Sequence, residues 1–365
     1  MSVAFAPRQR TVNAGTYRVT IAPGLRHEFA ALIAQVAPAY RYAIVSDSEV
    51  APLYANALLD ALLPHGQSSL HVFPAGEIHK TRENWIRITD ELLDDGFGRD
   101  TTIVALGGGV VGDLAGFVAA TFLRGVPVVQ CPTSLLAMID ASIGGKTGVD
   151  TAAGKNLVGA FHPPAGVLVD IDVVRTLPLA HRRAGLAEAI KHGVIADAAY
   201  LGRLTADIPA LLEADQATTM AAVARSVEIK SEIVRADSHE AGVRKTLNFG
   251  HTIGHAIEQA SGYALLHGEA VAIGMALETR LAERIGVAQQ GLADELEFVL
   301  ARAGLPVSRP AALDPALILA ATGADKKRRS GTAAYALPIR FGAMAGEADG
   351  WTVNVEDALV REVLA

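Results

Sequence analysis

Thr101-Thr102-Ile103-Val104-Ala105-Leu106-Gly107-Gly108-Gly109-Val110-Val111-Gly112-Asp113 decides how the first half of the chain is read. Residues 101–106 form a short, β-branched, apolar run bounded by a turn, the pattern of a strand buried on both faces. The run leads straight into glycines, and a helical pattern follows them. Gly107, Gly109 and Gly112 satisfy G-x-G-x-x-G in this strand–turn–helix setting. Glycine at such a turn permits positive φ and lets backbone N–H groups approach a pyrophosphate, with the helix N-terminus adding a favourable field. The motif alone is served equally well by a tight turn without a ligand. An acid about 20 residues further on usually holds the ribose of a dinucleotide. None lies between Asp113 and Asp140, so a dinucleotide here must be held in another way.

Outward from this turn the same alternation continues. Strands are expected at 17–21, 42–46, 70–73, 101–106, 126–131 and 167–170, with helical patterns between them. One is 80–95, which puts Trp85, Ile88 and Leu92 on one face. Strands alternating with helices predict a parallel sheet covered on both sides. After Pro178 the strand signal nearly vanishes. Stretches 184–196, 217–235, 246–262 and 269–285 read as Ala-rich amphipathic helices, and only 333–339 looks extended. The expected organisation is an α/β domain over 1–178 and an all-α domain over 179–365.

Bulk properties narrow the class of function. Half of the 365 residues are hydrophobic but only 5% are aromatic, and 35 are glycine, which suits closely packed helices and tight turns. No stretch gives about 18 clean apolar residues; the run after Asp113 is cut by Arg124, and the next is broken by Pro127, Gln130 and Pro132. No membrane span is expected, and residues 1–10 lack the apolar core of an export signal, so the expected location is cytoplasmic. A net charge of −7 argues against general nucleic-acid binding. The single cysteine, Cys131, excludes an internal disulfide and ends an apolar run, where a small buried hydrophobe is expected.

Anion-binding chemistry concentrates in 124–156. This segment holds Arg124-Gly125, Pro132-Thr133-Ser134, Asp140, Gly144-Gly145-Lys146-Thr147 and Gly154-Lys155-Asn156. Lysines beside glycine reach an anion without steric cost, and the segment is expected to be a cation-bearing loop. Its Gly-Gly-Lys-Thr is not a P-loop, because the upstream spacing is wrong and no strand leads directly into it. In the second half, His251 and His255 are one helical turn apart, and His267-Gly268-Glu269 opens the next helix. Upstream, Glu188 and Lys191 also lie one turn apart. Imidazoles with one carboxylate suit Zn²⁺ with an open coordination position. Spacing alone nominates His251 with His255 as a ligand pair.

Together these segments resemble the 3-dehydroquinate synthase family over almost the whole chain. The resemblance rests on Pro74-Ala75-Gly76-Glu77 with Lys80, the triple-glycine turn through Gly112-Asp113, the run from Leu135 to Thr147, and Gly154-Lys155-Asn156-Leu157. It continues through Ala187–Lys191, Leu247–His255, His267-Gly268-Glu269-Ala270 and Asp325-Lys326-Lys327. It implies a Rossmann-like N-terminal domain, a helical C-terminal domain and a homodimer. It further implies NAD bound by Asp47, Glu77, Lys80, Gly108, Gly109, Asp113, Thr133, Ser134, Lys146 and Lys155. The metal, Zn²⁺ or Co²⁺, is assigned to Glu188, His251 and His267, which leaves His255 to the substrate. Further substrate contacts would be Asp140, Lys146, Lys155, Asn156, Lys191, Lys230, Arg244, Asn248 and Lys326 or Lys327, with Arg124 reaching across the dimer interface. Two positions depart from the family pattern: Ala180-His181 stands where Arg-Glu is usual, and Glu49 where a small amide is common.

Overall fold

The computed structural model describes residues 9–152, 154–322 and 332–365; Lys326 and Lys327 therefore lie outside the described residues. The chain divides into two compact units, Met1–Leu177 with Thr219–Ser231, and Pro178–Thr218 with Glu232–Ala365.

In the first unit the elements run β1 (Arg10–Asn13), β2 (Arg18–Ala22), α1 (Phe29–Val36), β3 (Arg41–Asp47), α2 (Asn56–Leu62), β4 (Gln67–Phe73), α3 (Arg82–Asp94), β5 (Thr101–Gly107), α4 (Gly109–Thr121), β6 (Val128–Pro132), β7 (Lys146–Thr151), β8 (Gly154–Phe161) and β9 (Gly166–Asp170). Seven strands form one sheet in the order β1-β2-β9-β6-β5-β3-β4. All its pairings are parallel except β1 with β2. Successive residues of a strand serve opposite faces, and the packing shows it. Ala43, Val45, Ile103 and Ala105 meet Ile88 of α3 and Leu114 of α4. Tyr42, Ile44, Val104, Leu106 and Cys131 meet Ile33 of α1 and Leu62 of α2. The sheet is thus covered on both sides, as the apolar runs predicted.

From β3 the chain winds outward to β4, then returns past β3 to β5 and continues to β6 on the other side. The carboxyl ends of β3 and β5, at Asp47 and Gly107, therefore flank a topological switch point, where open α/β sheets bind ligands. The strand β1 was not expected, and neither was the antiparallel hairpin of β7 and β8, which replaces the predicted cation-bearing loop. Lysine, glycine and aspartate interrupt the apolar alternation of the hairpin, so its sequence reads as loop.

The second unit contains α5 (Leu179–Ala196), α6 (Ala198–Leu212), α7 (Gln216–Ala236), α8 (His251–Ala260), α9 (His267–Arg284), α10 (Leu292–Arg302), α11 (Pro315–Thr322) and α12 (Asp357–Leu364), with Thr219–Ser231 of α7 counted in the first unit. The expected helical character holds. The extended stretch at 333–339 becomes β10 (Thr332–Tyr335) and β11 (Pro338–Arg340), which pair with the unpredicted β13 (Val353–Glu356) and β12 (Ala343–Met344). The helix expected from 246 starts at His251 instead, because Val243–Asn248 is a 3-10 turn and Gly250 adopts φ 78°. Helix α9 is the hub, packed against α5, α8 and α10. Glycine permits this closeness at two contacts. A Cβ on Gly268 would lie 2.0 Å from the Ala184 carbonyl oxygen, and one on Gly274 would lie 1.9 Å from that of Gly250. Among the described residues no helix is long and apolar enough to cross a membrane.

Candidate active site

The backbone contacts at Gly268 and Gly274 bring one turn of each of three helices together. Helix α5 contributes Glu188 and Lys191, both buried; α8 begins with His251 and carries His255 one turn later; α9 begins with His267. The Nε2 atoms of His251 and His267 lie 3.6 and 3.5 Å from the same Glu188 oxygen. Ligand atoms about 2.0–2.2 Å from a tetrahedral Zn²⁺ are about 3.3–3.6 Å apart, so this donor set fits a divalent ion. His255 stands beside them, its ring 5.1 Å from that of His251 and 5.6 Å from that of His267. The residues that spacing nominated and those the family resemblance nominated thus share one cluster.

The rings of His251 and His267 are oriented from behind. The Nδ1 of His251 lies 3.1 Å from the Phe249 carbonyl, which accepts its proton and directs Nε2 toward Glu188. The Nδ1 of His267 faces the buried Glu258 carboxylate at 3.5 Å. Lys191 forms an ion pair with the other Glu188 oxygen. Burial opposes a proton on His267, but hydrogen bonds to Glu188 and Glu258 outweigh it and raise its pKa to about 9. His251 is held well below its ordinary value by burial and then by Lys191.

Were a divalent ion to be held by this donor set, the proton on His267 would have to leave as it entered. The raised pKa favours the proton-bound, metal-free fold below the ordinary value of 6.5, and this contribution is lost as pH rises through about 9. Metal affinity is therefore expected to weaken about tenfold per unit as pH falls from about 9 to about 7. Chelator competition across that range measures it, and an affinity flat with pH would contradict the proton assignment.

A second constellation lies in the sheet unit, around its switch point. The Ser46 hydroxyl donates to the Leu106 carbonyl at 2.7 Å, tying the ends of β3 and β5 together. Asp47 accepts from the amides of Glu49 and Val50, both at 2.9 Å, so one of its oxygens is committed to the turn. Gly108 caps α4, Thr133 N–H donates to the Gly107 carbonyl at 2.9 Å, and Ser134 Oγ accepts from Ala137 N–H at 3.2 Å. Nearby, the buried Lys80 Nζ is ringed by Glu77 at 2.7 Å, Asp113 at 3.2 Å and Asp150 at 3.6 Å, while Lys155 reaches Glu77 at 3.2 Å. Burial lowers the Lys80 pKa, but Asp113, Glu77 and Asp150 raise it further and keep the amine charged. Burial raises Asp113, and Lys80 only partly offsets this. Burial also raises Glu77, but Lys80 and Lys155 outweigh it and hold that carboxyl low. Carboxylates beside a glycine turn are acceptors for ribose hydroxyls.

The hairpin ends at this ring. Asp150 N–H donates to the Lys80 carbonyl at 2.7 Å, and Asn156 N–H donates to Asp150 Oδ1 at 2.9 Å. Asn156 adopts φ 52°, a strained value for a non-glycine residue. Lys146, at the start of β7, is exposed. Also in this unit, Lys230 Nζ meets the Asp140 carbonyl at 2.6 Å and its carboxylate at 2.8 Å. Arg124 is exposed, and it and Leu123 both adopt left-handed conformations, with φ 71° and 48°. In the helical unit, Arg244 is buried with Nη1 on the Ser238 carbonyl at 2.7 Å, and Asn248 donates to Glu240 at 2.6 Å. Asp150, Glu240 and Glu258 were not singled out from the sequence. Isolated acids in polar or amphipathic segments give no signal until the fold places them against named partners.

Solved structures define the class first. The fold is shared with a 2-epi-5-epi-valiolone synthase from Streptomyces hygroscopicus subsp. jinggangensis 5008 with NAD⁺ and Zn²⁺ bound, at TM-score 0.86 and 31% identity over 97% of each chain. A 2-deoxy-scyllo-inosose synthase complexed with carbaglucose-6-phosphate, NAD⁺ and Co²⁺ matches the fold at TM-score 0.90 and 24% identity, covering 98% of this chain and 99% of that one. The architecture is that of the sugar phosphate cyclases. Models of the 3-dehydroquinate synthase N-terminal and C-terminal regions match residues 70–184 and 185–328. A 3-dehydroquinate synthase of Xanthomonas campestris pv. campestris (strain 8004) is 46% identical over 358 residues, 96% of this chain and 95% of that protein. One from Symbiobacterium thermophilum is 44% identical over 329 residues, 89% and 92% of the two chains. The chain belongs to the 3-dehydroquinate synthase family.

Proposed function

We propose that the chain converts 3-deoxy-D-arabino-heptulosonate 7-phosphate to 3-dehydroquinate and phosphate, using NAD and a divalent metal. The observation that carries this reading is the meeting of Glu188, His251 and His267 around one carboxylate oxygen in a chain 44–46% identical to synthases of that name. The substrate carries a carboxylate and a phosphate, and its two anionic ends account for the many cations. Lys146, Lys155, Asn156, Lys191, Lys230 and one of Lys326 and Lys327 serve the phosphate and the hydroxyls. Arg244 and Asn248 serve the carboxylate, since a guanidinium fork matches its two oxygens. Asp140 anchors Lys230, and His255 is placed to move a proton on the substrate. Asp47, Glu77, Lys80, Gly108, Gly109, Asp113, Thr133 and Ser134 hold the dinucleotide. The working form is a cytoplasmic homodimer in which Arg124 serves the partner's site.

Phosphate leaves poorly from an unactivated carbon. When bound, NAD and the metal supply a hydride acceptor and a Lewis acid, which acidify the neighbouring C–H bond. The substrate is oxidised, loses phosphate, is reduced again and closes by an intramolecular aldol step. The chain's own groups would hold both anionic ends up to the loss of phosphate, and the carboxylate end while the ring opens and recloses. Phosphate release is expected to stop when either NAD or the metal is withheld, and to return when it is restored. Undiminished release after removal of both would overturn the proposal.

A further inference from the structure

Helix α8 presents His251 as its first residue and His255 one turn later, so the direction of its first turn sets where both imidazoles point. The opening amides of a helix have no partner inside it and need a cap. Here the cap position is Gly250, which has no side chain to offer. It cannot gain one, because a Cβ would lie 2.4 Å from Met275 Cγ at φ 78°. The cap comes from another helix. Glu278, on α9 and fully buried, accepts from Gly250 N–H at 2.6 Å with one oxygen and from Ile253 N–H at 3.0 Å with the other. These two amides bracket His251. The same helix opens with His267 three turns earlier, so Glu278 fixes α8 to the element that carries the other imidazole.

We propose that Glu278 is a positioning residue of the metal site: its carboxylate clamps the first turn of α8 and thereby aims His251 at the ion and sets the direction of His255 one turn later. The inference rests on the metal site proposed above, and it assigns Glu278 no contact with metal or substrate. A buried carboxylate that only stabilised the helix would affect folding. One that aims a ligand also affects the metal, and outer-shell partners of this kind are worth about 10–100-fold in affinity.

The test compares Glu278→Ala and Glu278→Gln with the unaltered protein, each stripped of metal. Zn²⁺ affinity is measured against a chelator, the visible absorption of the Co²⁺-loaded form is recorded, and thermal unfolding and NAD binding are followed in parallel. Glu278→Ala is expected to bind Zn²⁺ about 10–100-fold more weakly, with an altered Co²⁺ spectrum and unchanged NAD binding. Glu278→Gln keeps one acceptor oxygen and should lose less. A folded Glu278→Ala with the original affinity and spectrum overturns the inference, even if its unfolding temperature has dropped. If that variant does not fold, Glu278→Gln decides, and an unchanged affinity and spectrum there overturns it. Failure of the unaltered protein to bind either ion would overturn the metal site itself, a separate result.

Discussion

Replacing Glu188 with glutamine is expected to remove bound metal and lower phosphate release by at least about 10³-fold. A Lewis acid contributes several kcal/mol to such a step, at about 1.4 kcal/mol per tenfold in rate. Glu188 is the common neighbour of both Nε2 atoms, and its second oxygen is paired with Lys191. Glutamine preserves the shape but removes the charge that both the Lys191 amine and a bound cation would face. Metal content per chain and phosphate release measure the outcome. A Glu188→Gln protein that retains one metal per chain and near-normal turnover would remove Glu188 from the ligand set.

Arg244→Ala is expected to lower kcat/KM for the carboxylated substrate by about 10²- to 10⁴-fold, the loss of two charge-assisted hydrogen bonds of about 1.5–3 kcal/mol each. Arg244 is 2% exposed, with Nη1 donating to the Ser238 carbonyl at 2.7 Å and its backbone N–H donating to Asp237 Oδ2 at 3.1 Å. Asp237 also accepts from the amides of Ala241 and Gly242, so the segment leading into Arg244 is fixed before any ligand arrives. The informative comparison is with a heptulose phosphate lacking the carboxylate. If Arg244 recognises that group, the variant loses its preference for the acid while its low rate on the neutral sugar scarcely changes. Equal losses on both substrates would show that Arg244 holds the loop and reads no carboxylate. They would also favour a cyclase acting on neutral sugar phosphates.

These expectations draw on a site only partly legible in the sequence. The turn after β5 was readable because a parallel strand buried on both faces is a plain apolar run, and glycine marks where backbone must come close. His251 and His255 were readable because helical spacing places them together. Spacing alone gave no weight to Glu188, which is 63 residues before His251 in the numbering and meets it only because Gly268 and Gly274 let helices touch. Glu258 and Glu278 looked like ordinary polar positions on amphipathic helices, yet both are buried beside the imidazole-bearing turns. The β7–β8 hairpin was missed because Lys146, Gly148, Asp150 and Gly154 break its apolar alternation, and it leaves Leu157, Val158 and Phe161 exposed. The four short strands of the second unit have four residues or fewer, too few to establish a period.

The claim on which the whole reading depends is that oxidation and reduction belong to one turnover, so that the nicotinamide ends as it began. The direct measurement follows phosphate and reduced nicotinamide together while purified protein, loaded with Zn²⁺ or Co²⁺ and supplied with NAD⁺, consumes the heptulosonate phosphate. Phosphate is expected to be released over many turnovers with no net build-up of NADH. One NADH formed per substrate consumed, without phosphate, would instead identify a dehydrogenase and contradict it.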